Sequence, residues 1–559
     1  MRLVLRTLLL MTAALVAAVC VFTGLTLPPT PQVLGAAWPA LTAAGAYHIH
    51  TSRSDGTGSI DEVAEAARRA GLAFVILTDH GDGTRAPAPP AYKHSVLVID
   101  AVELNTAAGH LVALGLNVSA PYPLAGEARD VVEDVHRLGG KVVLAHPDSP
   151  SPDFSWQDRT TIADGVEWLN ADSEWRDETP TQLLTAAAHA VIRPAPSVAS
   201  LFVRPERSLR RWDRDARTHA EFGLAAVDAH ARGLWETKEP RRSTWFALPS
   251  YETMFRTAVQ VAQLEAPLSG DAAVDAAKVL GAIEAGRSFS VITAYAAPAT
   301  LSFFATTPSG VAHAGDRMPA SGDRVEWNAS VPELPTARVV LVRNGQTIST
   351  GKGRVQHRGV MESGVYRIEV FHPSGSAPWI ASNPIVVEAP PVQDAPPDAP
   401  TGPEEWLPFT LAAADWRFEG DSTSRTTQTN EDGALKISYA LGPGTPAGQY
   451  ASAASLELPQ DSVDQVAFVA RADKPMRVDV QIRLRGNKGV RWARSVYVDP
   501  APRRIVVPLS ELEPVDSDTT QRPIAAPLQS MLFVVDTLNT RPATIGTFWI
   551  SELRFRKNR

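Results

Sequence analysis

Cysteine is nearly absent from this sequence: Cys20 is the only one among 559 residues. A single cysteine excludes an intrachain disulfide, and it excludes a metal site or iron–sulfur cluster built on several thiolates. Positive charge is not in excess either. The net charge is -8 at pH 7, so a broadly basic surface for nucleic acid is not expected. A hydrophobic content of 44% with 20% charged residues excludes a wholly disordered chain, a coiled coil and a collagen-like fibre.

The length is sufficient for about three or four domains. Short apolar runs alternate with helical patterns in the first half, alternating strand patterns follow, and a proline-rich stretch, APPVQDAPPDAP, precedes a second strand-rich region. We therefore predict an N-terminal apolar segment at 1–38, an α/β domain at 44–297, an Ig-like β-sandwich at 298–387, a linker at 388–404 and a jelly-roll-like β-sandwich at 405–559.

The N-terminal segment carries Arg2 and Arg6 ahead of an apolar run from about Leu8 to Leu27, and no further Lys or Arg occurs before Arg53. A run of this length is typical of a membrane-spanning helix, and the charge asymmetry predicts that everything after it is exported. We expect a single-pass anchor in the cell membrane. The alternative is a cleaved signal peptide, with a small-residue site near residues 35–37 and a secreted or periplasmic product.

The region 44–297 reads as strands alternating with helices. A helix is predicted over Ile60–Ala70, where Ser59 and Glu62 have the spacing of a capping box. A strand is predicted over Tyr47–His50, and six or seven others follow. Seven or eight strands that alternate with helices favour a parallel barrel.

Histidines concentrate in this region, which holds ten of the 13 in the chain. Imidazoles and carboxylates stand at or just after the ends of five predicted strands, and in a barrel those ends converge on one face. His48 and His50 are two apart, so both would point to the same side of a strand and bind one ion. Singly, each motif is typical of a turn or a helix cap. Together they favour a metal centre, because so many buried charges are costly without a cation.

Five motifs carry a family resemblance: HIHTSRSDG, LTDH, VELNTAAGH, LAHP and VDAH, in this order. They resemble the PHP (polymerase and histidinol phosphatase) superfamily over about residues 44–297. The stretch DAAKVLGAIEAGRSFSVI is similar to the exported, CehA/McbA-like branch. The resemblance implies a distorted (β/α)7 barrel with two or three divalent ions, which are zinc, manganese or iron.

The resemblance also implies which residues bind the ions. One ion would be held by His48, His50, Glu103 and Asp228; a second by Glu103, His110 and His146; a third by Asp55, His80 and His230. The resemblance implies that Glu103, Asp228 and His230 are the catalytic residues of a reaction in which a metal-bound hydroxide attacks the substrate. From their positions, Arg53, Glu167 and Asn170 are predicted to contact the substrate.

These residues predict a metal-dependent hydrolase, with a phosphoester as the expected substrate, either a small molecule or a glycan-linked ester. Two alternatives stay open: an amide or carboxylic-ester hydrolase with the same site, and a non-catalytic surface protein that binds glycans. The C-terminal region resembles carbohydrate-binding, galactose-binding-like modules in strand pattern and size. Four of its tryptophans are either a sugar-stacking platform or part of the core: Trp406, Trp416, Trp492 and Trp549.

Overall fold

The computed structural model describes residues 2–158, 160–232, 249–389, 405–445, 448–455, 458–486, 490–515 and 522–557. The chain is multidomain and rich in strands, and it divides into two compact units. The first comprises Met1–Gly81, Pro87–Val118 and Val135–Val392; the second comprises Asp82–Ala86, Ser119–Asp134 and Gln393–Arg559. Each unit is described by itself below.

The described residues contain eight α-helices. They are α1 Arg2–Thr26, α2 Ile60–Ala70, α3 Ala128–Arg137, α4 Pro180–Ala190, α5 Pro194–Ala199, α6 Glu206–Asp215, α7 Tyr251–Phe255 and α8 Ala272–Glu284. The capping box predicted for α2 is confirmed, because the Ser59 side chain accepts from the Glu62 N–H and the Glu62 side chain accepts from the Ser59 N–H. Gly71 ends this helix at a φ of 78°, a left-handed conformation that glycine adopts without strain.

Fourteen strands of the first unit precede residue 298 in the described residues. They are β1 Gln32–Val33, β2 Thr42–Tyr47, β3 Phe74–Leu77, β4 His80–Gly81, β5 Ala91–Lys93, β6 Val96–Asp100, β7 Val102–Thr106, β8 Gly109–Leu114, β9 Lys141–Leu144, β10 Gly165–Asn170, β11 Phe222–Ala226, β12 Val259–Gln263, β13 Ser288–Val291 and β14 Ala296–Ala297.

Twelve of these strands form two sheets that connect at two places, and β1 pairs separately with β14. One sheet runs β11-β10-β9-β8-β7-β4, and the other contains the consecutive neighbours β13-β12-β2-β3-β6-β5. One residue separates β6 from β7, which belong to different sheets. The second connection joins the end of β11 to the end of β2: the Val227 N–H donates to the Tyr47 carbonyl at 3.0 Å, and the His50 N–H donates to the Ala229 carbonyl at 3.0 Å. The two sheets enclose a core of buried aliphatic and aromatic side chains that includes Phe74, Val112 and Leu224.

The pairing is only partly parallel. The strand pairs β2–β3, β3–β6, β4–β7, β9–β10 and β10–β11 are parallel, as alternation with helices predicts. By contrast, β7–β8, β8–β9 and β12–β2 are antiparallel. The first of these pairs is a hairpin, which needs no crossover helix, and the pattern of alternating elements does not distinguish it from a parallel pair.

The region 298–387 folds as two facing antiparallel-rich sheets. Its strands are β15 Ser302–Thr307, β16 Gly310–His313, β17 Arg317–Pro319, β18 Arg324–Ser330, β19 Arg338–Arg343, β20 Gln346–Lys352, β21 Arg354–Val360, β22 Gly364–Phe371, β23 Ile380–Ser382 and β24 Ile385–Glu388. The rings of Trp327 and Tyr366 stack between the sheets, with centroids 3.9 Å apart. The larger sheet continues into the preceding region, because β23 pairs with β13.

The second unit contains a β-sandwich. Its strands are β25 Trp406–Pro408, β26 Trp416–Gly420, β27 Arg425–Glu431, β28 Ala434–Ala440, β29 Tyr450–Ser455, β30 Ser462–Ala472, β31 Met476–Leu484, β32 Arg491–Val498, β33 Arg503–Pro508, β34 Glu513–Val515, β35 Ala526–Asp536 and β36 Ile545–Lys557. Phe533 lies at the centre of its core, where it contacts the rings of Trp416, Phe468 and Phe548. The predicted C-terminal sandwich is thus present in its coarse form.

The N-terminal segment forms α1 and then β1, which pairs with β14. The prediction of a single-pass membrane anchor was wrong: within the residues that the structure describes, no helix has both the length and the apolar character that crossing a membrane requires. The predicted linker, 388–404, lies outside the described residues from position 390 onward.

Arg367 on β22 is fully buried in the first unit. Its substitution would measure how much its ion pairs stabilise the fold. Its guanidinium donates to both carboxylate oxygens of Asp213 on α6, at 2.7 and 3.0 Å, and it also pairs with Glu369. We expect Arg367→Met to lower the free energy of unfolding by about 3–5 kcal/mol, because the Asp213 carboxylate loses its partner in the interior.

Urea unfolding followed by tryptophan fluorescence measures this loss. The matched control is Arg343→Met, because Arg343 pairs with Glu362 on the surface, with both side chains about one-third exposed or more. An exposed pair contributes about 1 kcal/mol or less. Equal losses in the two variants would contradict a stabilising role for the buried pair.

Candidate metal centre

The strand ends bring the predicted site residues together through the backbone. The Thr78 N–H donates to the Ile49 carbonyl at 2.8 Å, and the Ala229 N–H donates to the His48 carbonyl at 3.2 Å. The Ala145 N–H donates to the His110 carbonyl at 3.2 Å. Each bond joins two segments of the chain that carry candidate site residues. The histidines after β2, β3, β9 and β11 therefore surround one point.

Three site residues have a left-handed backbone: φ is 67° at His48, 31° at His146 and 48° at Asp228. Such values are strained for residues other than glycine, and they concentrate at functional sites. They also correct the predicted strand over Tyr47–His50, because β2 ends at Tyr47. The two imidazoles of His48 and His50 meet because the backbone turns after the strand, and strand alternation does not explain it.

The first group of candidate ligands comprises His48, His50, Glu103 and Asp228, which all lie inside the protein. Their ligand atoms face one another: the two Nε2 atoms of the histidines are 3.1 Å apart, and each lies 3.2–3.5 Å from Glu103 Oε2 and from Asp228 Oδ1. Two nitrogens and two carboxylate oxygens thus converge on one small volume.

The second group centres on the other oxygen of the same carboxylate. Glu103 Oε1 lies 2.7 Å from His110 Nδ1 and 3.0 Å from His146 Nε2. Glu103 belongs to β7, and His110 is the second residue of β8, the strand paired with it. His110 lies near the beginning of its strand, and the β7–β8 hairpin brings it next to Glu103.

The third group comprises Asp55, His80 and His230. Asp55 lies 3.6 Å from His80 Nε2 and 3.4 Å from His230 Nε2. The buried Nδ1 atom of His80 has no hydrogen-bond partner among the described residues, although Glu103 Oε2 is 3.3 Å away. A buried nitrogen in this condition is costly unless a cation occupies the space that it faces.

The carboxyl groups of the centre are held in the ionised form. Burial alone would raise the pKa of the Glu103 carboxyl, but the charge on His48 and a hydrogen bond from His110 hold that pKa well below its ordinary value. Burial likewise raises the pKa of Asp228, and His48 with other nearby imidazoles lowers it well below the ordinary value. The centre is therefore rich in buried negative charge.

The pKa values of the His48 and His50 imidazoles are shifted upward. Burial lowers the pKa of His50, but hydrogen bonds with Asp228 and Asp55 raise it to about 11. Burial lowers the pKa of His48 as well, and the charges of Asp228 and Glu167 raise it well above its usual value. Without another cation these rings keep their protons at neutral pH. A metal ion that binds here would displace those protons.

Three imidazoles are oriented by contacts outside the ligand groups. The Nδ1–H of His48 donates to Glu167 Oε1 at 2.6 Å. The Nδ1–H of His146 donates to the Phe154 carbonyl at 2.9 Å, and that of His230 donates to the Asp228 carbonyl at 3.0 Å. Each contact directs Nε2 inward, which is the arrangement that fixes histidine ligands in metal sites. The donor set therefore fits divalent zinc, manganese or iron, which accept imidazole and carboxylate ligands.

The residues predicted to contact substrate lie elsewhere. Glu167 and Asn170 are buried behind the ligands, where Asn170 Nδ2 donates to Glu167 at 2.8 Å and to Asp228 at 3.1 Å. Arg53 pairs with Asp79 and Asp100, at 2.7 and 2.6 Å. None of the three is among the described residues that line the cavity beside the centre. Glu167 and Asn170 orient ligands, and Arg53 braces the loop after β2.

That cavity has a volume of about 570 Å³. Sequence reasoning missed several of its lining residues, among them Arg232, Phe154 and the residues of α4 and α5. Arg232 forms an ion pair with Asp55, and its place two residues after His230 was the available signal. Phe154 contacts the rings of His110 and His146, and no local pattern marked it, because it stands in an irregular loop.

The tryptophans of the second unit show no open stacking platform among the described residues. Trp416 and Trp492 are buried in the sandwich core. The Arg471 guanidinium lies over the ring of Trp549 at 3.7 Å, and that of Arg554 lies 5.2 Å from the ring of Trp406.

No protein-family model and no curated protein matches this chain. Among solved structures, it is similar to the family 11 carbohydrate-binding module of the cellulosomal cellulase Lic26A-Cel5E of Clostridium thermocellum, with 13% identity over 28% of this chain and 95% of that chain and a TM-score of 0.23. It is also similar to the agarase AgWH50C, with 13% identity over 28% of this chain and 25% of that chain and a TM-score of 0.20. A family 29 carbohydrate-binding module is 12% identical over 28% of this chain and 90% of that chain, with a TM-score of 0.19. Such low TM-scores carry no argument about what this chain binds.

Glu174 stands between two cavity-lining residues and gives a pH-dependent prediction. Burial raises the pKa of its carboxyl to about 7, although Oε2 accepts a hydrogen bond from the Val203 N–H at 3.0 Å. Because the pKa is higher in the folded state, the stability linked to this group is complete below the unfolded pKa of about 4.5 and is lost as the pH rises through about 7.

We therefore expect Glu174→Gln, which retains an acceptor for Val203, to match the parent protein at pH 4.5 and to be more stable at pH 8. Thermal unfolding at both pH values measures the difference. Glu265→Gln at an exposed position is the control and should follow the parent at both. A Glu174→Gln protein that gains no stability at pH 8 would refute the assignment.

Proposed function

We propose that this chain is a metal-dependent hydrolase of the PHP type that cleaves phosphoesters. The observation that carries the proposal is the convergence of six imidazoles and three carboxylates at one cavity. The strand pairing supports a distorted (β/α)7 barrel as its fold, since both sheets contain parallel pairs and the sheets connect at two places, from β6 to β7 and from β11 to β2. Active sites of such folds lie at the carboxyl ends of the strands. His48, His50, His146, Asp228 and His230 follow such ends, whereas Glu103 and His110 lie near the beginnings of β7 and β8.

Two or three divalent ions, zinc, manganese or iron, would be held by the three ligand groups described above. When bound, they would lower the pKa of a coordinated water and neutralise charge that develops on the reacting oxygens. Glu103 would join the first two groups, because its two oxygens face different sets of imidazoles. Asp228 would complete the first group from the strand end after β11.

The chain's own residues would position the ligands and take up a proton. Because the Nδ1–H of His230 is donated to the Asp228 carbonyl, its Nε2 atom faces the cavity side of the centre and is the atom that would bind an ion or take up a proton. Glu167 holds His48 Nδ1 and accepts the His146 backbone N–H at 2.7 Å, so one carboxylate fixes two ligand-bearing segments. Both roles need residues held rigidly, which burial supplies.

The full chain tests the proposal through metal content and hydrolysis together. We expect two or three ions per chain by elemental analysis after loading with Zn²⁺, Mn²⁺ or Fe²⁺, and turnover of a phosphomonoester or phosphodiester in preference to a carboxylic ester. His50→Ala and Asp228→Ala should lose metal and activity. Glu167→Gln should weaken metal binding by about 10–100-fold, because it loosens His48 without removing a ligand.

The matched control is His94→Ala, since His94 forms an exposed pair with Asp61 away from the centre. It should keep both metal and turnover. A chain that binds none of the three metals and hydrolyses none of the esters would overturn the proposal. If the chain binds metal but cleaves only the carboxylic ester, the metal centre would be supported and the phosphoester substrate would be wrong.

A further inference from the structure

The cavity beside the metal centre has two walls of opposite character. One wall carries the imidazoles and carboxylates of the candidate ligands. Another part of the lining comes from α4, α5 and the residues after α5, and it is almost entirely aliphatic: Leu183, Ala186, Ala187, Ala190, Val198 and Leu201. A volume of about 570 Å³ is in the range that holds a drug-sized ligand, and it exceeds what a phosphate group alone fills.

The aliphatic wall follows the periodicity of α4. Positions 183, 186, 187 and 190 lie on one face of this helix, and all four line the cavity. Ala187 is exposed there, so it presents a methyl group to the cavity space. The small side chains along this face let a ligand approach the helix closely.

Two aromatic residues also line the cavity, but their rings already have a partner. The Arg176 guanidinium lies 5.1 Å from the ring centroid of Phe154 and 4.9 Å from that of Trp175. Phe154 contacts His110 and His146 as well. Since cations over aromatic faces are attractive contacts, a planar ring of a ligand would have to displace Arg176 to stack there. The apolar surface that stays open to a ligand is therefore aliphatic rather than aromatic.

Polar partners are scarce on the aliphatic wall among the described residues. Ser197 is the hydroxyl residue of α5, and its Oγ–H donates to the Arg193 carbonyl at 2.6 Å. A sugar or another polyol placed against this wall would leave hydroxyl groups without hydrogen bonds, which is costly. An alkyl chain meets no such cost and removes apolar surface from water.

We propose that the substrate is an ester of an aliphatic alcohol, bound with its ester group at the metal centre and its alkyl chain against α4 and α5. The inference rests on the proposed function for the reaction, but the chain-binding wall is a separate feature of the cavity. The cleaved bond joins phosphorus to the ester oxygen: water supplies the oxygen that phosphorus gains, and the alcohol leaves with a proton.

A series of alkyl phosphates from ethyl to octyl tests the inference on the metal-loaded full chain. Each added methylene that reaches the wall should raise kcat/KM by about two- to fourfold, since a fully buried methylene contributes about 0.8 kcal/mol. Titration calorimetry with ethylphosphonate and octylphosphonate, which are not hydrolysed, should show the same order in affinity.

Ala187→Phe fills the cavity from α4 and should flatten the octyl-to-ethyl ratio in both measurements. Ala188→Phe is the matched control, because Ala188 is an exposed neighbour on the same helix that does not line the cavity. It should keep the parent ratio. If Ala187→Phe fails to fold, Leu183→Gln makes the same wall polar and should lower the ratio.

The outcomes separate this inference from the proposed function. Turnover that is equal for ethyl and octyl phosphate would overturn the inference and leave the hydrolase standing. Octylphosphonate that binds more tightly than ethylphosphonate, in a chain that cleaves no phosphate ester, would support the alkyl site and overturn the phosphoesterase. Equal ratios in the Ala187→Phe and Ala188→Phe proteins would also overturn the inference.

Discussion

The arrangement of the site depends on one buried carboxylate, Glu103. It lies on β7, almost without contact with solvent, and five imidazoles approach its two oxygens within 3.3 Å. An isolated carboxylate in such a position is unfavourable, so its surroundings must supply positive charge. The histidines that do so come from four separate segments of the chain: the loop after β2, strand β4, strand β8 and the loop after β9. The requirement to neutralise Glu103 therefore links segments that are far apart in the chain.

The loops are held by contacts that do not themselves reach the cavity. Glu167 fixes His48 and the backbone at His146, while the Asp79 carboxylate accepts from the Thr51 N–H at 2.7 Å and from the Ser54 hydroxyl at 2.7 Å. Left-handed residues after the strands turn the side chains inward. These strained conformations persist because hydrogen bonds on both sides over-determine them. Rigidity around the centre is thus a property of its supporting contacts.

The cavity beside the candidate centre has surfaces of different chemical character. A ligand that enters it meets charge on one side and methyl groups on the other, and Arg176 covers the two aromatic rings between them. This division suits an amphipathic molecule. The second unit contributes a β-sandwich with a well-packed core, and its tryptophans are buried or lie beneath guanidinium groups.

The sequence by itself determined the residue types of the candidate site, because imidazole and carboxylate residues recur next to apolar runs. It also determined the start of α2 and the strand-rich C-terminal region, since capping and alternation are local patterns. Only the tertiary structure decided that His48 turns out of its strand, that Arg53 pairs with Asp79, and that α4 and α5 face the centre. It also showed that α1 does not provide the anchor that its apolar run predicted. Those features arise from contacts between distant residues, which no local spacing records.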